Sequence, residues 1–300
     1  YKYVDVTYDT YNYRRKPGTS TVVKELCGKK TCRFAQFPDG KKPIMPSILE
    51  ELLAARKATR KKIKTTDDEF MKNVLDKRQL SYKITANSLY GQCGAKTSSF
   101  YEKDVAASTT ATGRKLLIYA KHIIEEVYGD RKVDTSLGKV HSHAEYIYGD
   151  TDSVYFSAYP VFRQQIESGE FAWDKDKVTE LYETVCEQAN ETFPDYMATA
   201  HNVQNKEQGQ IIAAAREVSA TAGIYITKKR YAILVYDNEG HREDKDDKPG
   251  KIKAMGLDLK RSDTPAFMQD FLNELLLKTL TGSKEQEIID RIIEFRSEFR

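Results

Sequence analysis

Two carboxylates one residue apart, Asp150 and Asp152, stand in the stretch YIYGDTDSVYF, between two runs of β-branched and aromatic residues. Like charges this close repel, unless a cation lies between them. A hard cation such as Mg²⁺ takes oxygen ligands, typically one or two carboxylates together with the phosphates of a substrate. Alone, the same turn reads more readily as solvated aspartates bonding to nearby backbone. The rest of the chain has to decide.

Three further groups of residues bear on it. In KITANSLYG, Lys83 and Asn87 are at i and i+4, so on a helix they project from one face. A cation and an amide so placed can grip a phosphate or a sugar. Tyr90 follows on the same helix, where a flat ring can lie against a base, and Gly91 lets a backbone come close. Arg56 and Arg60 lie one turn apart on a preceding helical stretch. Antiparallel packing would bring their guanidinium forks, which suit phosphate oxygens, to the side of Lys83. Finally, Lys228, Lys229 and Arg230 followed by Tyr231 make a basic bend suited to a nucleic-acid backbone. Each group alone also reads as charged, solvated surface. Together they form an inventory for metal-assisted phosphoryl transfer: cations for a triphosphate, carboxylates for metal and a basic bend for a duplex.

These residues need elements to hold them. Tyr146–Tyr148 and Val154–Phe156 have strand composition, and Gly149-Asp150 between them is a hairpin signal, so both aspartates fall at the tip of a β-hairpin. Residues 1–45 read as a strand or two with loops. Pro46-Ser47 open a helix in which Leu49, Leu52, Leu53 and Arg56 recur at helical spacing. A polar break at 64–68 separates it from a second helix over 69–89, which the glycines of Tyr90-Gly91-Gln92-Cys93-Gly94 should end. A third helix is expected over 103–128, a loop over 129–142 and a fourth helix over 178–190. GIYITKKRYAILVYD should pair as two strands, IKAM should be another strand, and the chain after Pro265 should be helical, broken at Thr281-Gly282-Ser283.

The net charge of +3 conceals an asymmetry. Residues 1–104 carry 22 Lys and Arg against 12 Asp and Glu, or +10, while residues 105–300 carry 26 against 33, or −7. A basic helical region is the footprint expected for phosphate partners. No apolar run approaches the roughly 20 residues a membrane helix needs, and the opening YKYVDVTYD has no signal-peptide order. Cys27, Cys32, Cys93 and Cys186 form no zinc pattern and are expected to be reduced thiols. His122, His141, His143, His201 and His241 show no ligand pattern. His141 and His143 alternate on an expected strand and face solvent.

K-x-x-x-N-S-x-Y-G followed by Y-G-D-T-D-S, with L-L-x-x-R-K before and K-K-R-Y after, resembles the ordered motifs of the family B DNA-dependent DNA polymerases. CRFAQFPDGKK and GLDLKRSDTPAFMQDF look most like the delta-type enzymes of large eukaryotic DNA viruses. The resemblance implies an α+β right hand: a palm with an antiparallel sheet and packed helices over 93–260, a helical fingers hairpin over 46–92, and the start of a helical thumb over 261–300. It implies template-directed addition of deoxynucleotides to a primer end by two-metal chemistry with Mg²⁺. Asp152 would ligate metal, with Asp150 adjacent. Arg56 and Lys83, aided by Asn87 and Arg60, would bind the incoming dNTP. Tyr90 and Gly91 would line the nascent base pair, and Lys228, Lys229, Arg230 and Tyr231 would contact primer–template DNA. A sliding clamp or other replication factors are further partners, no membrane is expected, and the place of work would be intracellular, in the nucleus or a cytoplasmic viral replication site.

The chain departs from the family pattern in lacking the upstream D-x-x-S-L-Y-P-S motif with the first catalytic carboxylate, the exonuclease domain and most of the thumb. It is therefore expected to be the central portion of a longer polymerase, inactive by itself. Two alternatives stand beside this reading. A reverse transcriptase or RNA polymerase palm also uses paired carboxylates, but lacks the K-x-x-x-N-S-x-Y-G helix. A non-catalytic nucleic-acid-binding remnant would bind DNA without regard to metal or nucleotide.

Overall fold

The computed structural model describes residues 2–127, 129–135, 138–143, 145–157, 163, 165–170, 172–203 and 206–298; of these, the side chains of 126–127, 129–135, 138–143, 145, 206–207 and 260 are not described. Helices and antiparallel sheets make up the chain, as an α+β fold requires. It divides into two compact units, Tyr1–Leu116 with Phe193–Ile211, and Leu117–Thr192 with Ile212–Arg300.

The first unit opens with a long antiparallel hairpin, β1 (Lys2–Arg15) and β2 (Val22–Gln36), in register from Lys2↔Gln36 to Arg15↔Val22 with one bulge at Thr10/Tyr11. Cross-strand pairs hold it: Arg33 donates to both carboxylate oxygens of Asp5 at 2.8 and 2.9 Å, and Thr7 bonds Thr31 at 2.9 Å. Helices α1 (Ile44–Thr65) and α2 (Glu69–Gly94) follow, packed as a pair. Asp68 caps α2 by accepting from the amides of Phe70 and Met71. α3 (Lys103–Val127) begins in this unit and continues into the second.

Two expectations fail in this region. α2 does not stop at the glycines but runs through Gly91 to Gly94. Cys93 is 2% exposed and sits 3.6 Å from the sulfur of Met45, a burial that outweighs the roughly 1 kcal/mol a helical glycine costs. The expected loop over 129–142 contains a hairpin, β3 (Gly129–Thr135) with β4 (Gly138–His143). Its polar composition carries no strand signal; the two strands are seen in their backbone pairing. His141 and His143 lie on β4, with their side chains outside the described residues.

The second unit centres on a sheet ordered β10–β8–β7, built from β7 (Val218–Thr227), β8 (Arg230–Asn238) and β10 (Lys251–Met255), with short β9 (His241–Arg242) pairing to β8. β8 is buried on both faces from Tyr231 to Asp237. Tyr231, Ile233 and Val235 face the acidic hairpin, β5 (Glu145–Asp150) and β6 (Ser153–Ser157). Ala232 and Leu234 face Leu276, Leu277 and Leu280 of α5 (Ala266–Leu280). Each large aliphatic so buried contributes about 1.5–3 kcal/mol.

α4 (Lys175–His201) is longer at both ends than the pattern suggested, because Asp174 caps its start with bonds from the amides of Asp176 and Lys177, and burial of Phe193 and Met197 carries it past Pro194. In the second unit Thr179 bonds the Tyr236 hydroxyl at 3.1 Å, and Asn190 bonds both the amide and the carbonyl of Ala214. The Arg216 side chain, 7% exposed, is paired with buried Asp237 and with Glu183. α6 (Glu285–Ser297) closes the described chain by stacking Phe295 on Phe271, ring centroids 3.6 Å apart. Among the described residues, no helix is long and apolar enough to cross a membrane.

Candidate acidic hairpin and basic helix pair

The acidic hairpin forms as expected. Asp150 pairs with Ser153, leaving Thr151 and Asp152 as the loop. Thr151 has φ 57°, and the Asp152 amide donates to the Asp150 carbonyl at 2.7 Å. A β-branched residue in the left-handed region, closed by an i to i+2 bond, is an uncommon and strained turn. Strain of this kind concentrates at functional sites. Gly149 leaves room for a close approach: a Cβ there would lie 2.7 Å from the Tyr146 hydroxyl oxygen and 3.3 Å from the Ser153 carbonyl. Lys121 stands over the Tyr146 ring at 4.6 Å.

The basic bend meets this hairpin. Thr227 pairs with Arg230, so Lys228 and Lys229 form the two-residue turn between β7 and β8. Lys229 Nζ lies 3.7 Å from Asp150 Oδ2. Lys229 is well exposed while the Asp150 side chain is only 19% exposed. Such a pair is worth about 1 kcal/mol or less, so its interest is placement. Lys228 is exposed, and Arg230 donates from Nε to the Gly256 carbonyl at 3.2 Å. Tyr231 does not offer its ring to a ligand: it is 3% exposed, in the core beneath the acidic hairpin.

Beneath the two turns, Tyr148, Tyr155, Tyr225 and Tyr231 pack with ring centroids 5.5–5.9 Å apart. Burial drives the Tyr155 phenol well above the ordinary range, reinforced by its 3.1 Å bond with the Tyr231 hydroxyl, and pushes Tyr225 up to about 12. The Tyr155 and Tyr225 hydroxyls therefore stay protonated at neutral pH. In the sequence Tyr148 and Tyr155 stand out only as strand formers, and nothing local marks the cluster they join.

In the first unit, Arg56 on α1 donates from Nε to Gln79 Oε1 on α2 at 3.1 Å. Gln79, Lys83 and Asn87 recur every four residues along α2. Arg56 is thereby brought alongside the stripe carrying Lys83 and Asn87, as antiparallel packing required. Lys83 and Asn87 are exposed. Arg60 is exposed one turn beyond Arg56. Tyr90, 38% exposed, bonds Thr110 of α3 through its hydroxyl at 2.6 Å, leaving part of its ring open. Gly91 is exposed, with open space where a side chain would be.

A metal at the acidic turn has two carboxylates available, one half-buried and one exposed. Among the described residues no cluster of three or more His, Cys, Asp or Glu comes together. Two carboxylates are what Mg²⁺ takes when phosphates complete its shell, so the donors fit a metal that arrives with a nucleotide better than one held by protein alone.

The profile of DNA polymerase family B matches residues 6–172. The chain is 61% identical over 157 residues to the DNA polymerase of Phaeocystis pouchetii virus, covering 52% of this chain and 15% of that protein. It is 33% identical over 306 residues to the DNA polymerase of Pyramimonas orientalis virus, covering 87% of this chain and 22% of that protein. To the DNA polymerase delta catalytic subunit of Oryza sativa subsp. japonica it is 31% identical over 246 residues, covering 81% and 18%. The chain thus spans about a fifth, or less, of these relatives. With a profile match over more than half its length, the chain belongs to DNA polymerase family B.

Proposed function

We propose that this chain is the central part of a DNA-directed DNA polymerase, in which 46–92 are fingers, 93–260 palm and 261–300 the start of the thumb. The observation that carries it is the meeting of the two turns: Asp150 and Asp152 at a strained tip, with Lys229 of the basic turn 3.7 Å from Asp150. Asp152 and Asp150 would hold Mg²⁺, which when bound neutralises phosphate charge and stabilises attacking and leaving oxygens. Arg56, Lys83, Asn87 and Arg60 would clasp the triphosphate of a dNTP on the exposed face of α1 and α2. Tyr90 and Gly91 would border the new base pair, Tyr90 held in place by Thr110. Lys228 and Lys229 would contact the duplex backbone, with Arg230 fixing the turn and Tyr231 anchoring it from the core. Viral relatives suggest work where viral DNA is copied in an infected cell.

The test is ternary-complex formation. The chain should bind a primer–template, and bind it tighter when Mg²⁺ and the dNTP complementary to the template are added together; a mismatched dNTP should not help. DNA binding indifferent to metal and nucleotide would instead establish the non-catalytic binding reading.

A further inference from the structure

The tyrosine cluster between the two hairpins contains one hydroxyl that does more than pack. Tyr155 and Tyr231 bond each other. Tyr148 instead accepts the backbone N–H of Lys229 at 2.9 Å. That N–H belongs to the peptide between Lys228 and Lys229, the central peptide of the turn. β-Turn types I and II differ by a flip of this peptide, so a fixed acceptor on its N–H selects one orientation. The selected state is not the relaxed one: Lys229 has φ 62°, a region costly to any residue with a side chain. The other side of the turn is closed by Gly256, where any Cβ would stand 2.1 Å from the Lys229 carbonyl oxygen. The turn is thus gripped at its amide by Tyr148 and at its carbonyl by a bare backbone. On this turn the Lys229 ammonium stands 3.7 Å from Asp150 Oδ2.

We propose that Tyr148 is a positioning residue: its hydroxyl fixes the Lys228–Lys229 peptide and so sets where the Lys229 ammonium stands between Asp150 and a nucleic-acid backbone. This rests on the reading of the basic turn as a duplex contact. A Phe at 148 keeps the ring among its three neighbours and removes only the acceptor. The central peptide is then free to flip, Lys229 to leave the left-handed region, and its ammonium to move off Asp150.

The experiment compares wild type with Tyr148→Phe, Lys229→Ala, the double variant, and Tyr155→Phe as a control whose hydroxyl serves only the cluster. Two readings are taken: exchange of the Lys229 amide with solvent, and affinity for a primer–template duplex. Tyr148→Phe should speed Lys229 exchange and weaken duplex binding about two- to ten-fold, the span one hydrogen bond commands. In the double variant the loss should equal that of Lys229→Ala alone, and Tyr155→Phe should leave Lys229 exchange unchanged. Unchanged exchange in Tyr148→Phe, or losses that add in the double variant, would overturn the positioning role. If Lys229→Ala costs no affinity while the exchange result holds, the duplex reading of the turn fails and the positioning of the turn stands.

Discussion

Gly256→Ala puts the coupling between the turns under direct strain. Gly256 has φ +65°, where an L-residue costs about 1–2 kcal/mol. Its new Cβ would lie 2.1 Å from the Lys229 carbonyl oxygen, 0.9 Å inside the 3.0 Å that real Cβ atoms keep. The neighbour is backbone, so the turn itself has to move, at about another 1–3 kcal/mol by analogy with overpacked cores. The sum, about 2–5 kcal/mol, lowers the melting temperature by roughly 4–20 °C at about 2–4 °C per kcal/mol. Gly250→Ala is the matched control. It lies at the other end of β10 with φ +122°, and its Cβ would meet the Val235 carbonyl oxygen at 2.4 Å. It should destabilise comparably without touching the basic turn. Thermal unfolding by circular dichroism gives the first quantity, and fluorescence anisotropy with a labelled primer–template, well below either melting point, gives the second. Both variants should melt early, and only Gly256→Ala should lose duplex affinity. Equal affinity losses in the two variants would show that general destabilisation, not displacement of Lys229, governs binding, and would refute the reasoning.

Three further outcomes follow from the geometry. Arg216→Ala strands the buried Asp237 carboxylate and should cost about 3–5 kcal/mol in chemical denaturation, against under 1 kcal/mol for an exposed partner such as Lys253→Ala, whose ion pair with Glu217 lies at the surface. Burial first, and Lys115 second, lower the pKa of His201, which is 2% exposed, while a bond to the Asp5 backbone opposes the shift. Its stabilising contribution is therefore complete above the unfolded-state value near 6.5 and lost as pH falls below it, so melting should drop between pH 7.5 and 5.5 and His201→Gln should flatten that dependence. Lys83→Ala should weaken binding of a fluorescent dNTP about ten-fold, as loss of a charge-assisted hydrogen bond does, while Lys77→Ala, off the Gln79–Lys83–Asn87 stripe, should not.

Where local chemistry set the fold, the sequence was readable. Asp68 marks the start of α2, Pro265 the start of α5, and Gly-Asp between aromatic runs the acidic hairpin. Periodicity placed Arg56 and Lys83 on facing helices, and the Arg56–Gln79 bond bears that out. What escaped depends on distant partners. Gly91 reads as a helix breaker until Cys93 is seen buried beside Met45, 48 residues away. Tyr231 reads as part of a basic recognition motif, yet its ring belongs to a core assembled from Tyr148 and Tyr155 on another hairpin. Nothing local distinguishes Gly256 from an ordinary turn glycine; only the Lys229 carbonyl above it does.

The central claim is that the turn carrying Asp150 and Asp152 holds a metal in company with nucleotide phosphates. The most direct measurement titrates Mn²⁺ into the isotope-labelled chain with primer–template and complementary dNTP present, and follows paramagnetic broadening of backbone amides. The account predicts selective broadening at Gly149–Ser153 in the wild type, lost in Asp152→Asn and weaker without dNTP. Broadening elsewhere, or broadening at the turn that survives Asp152→Asn, would contradict it.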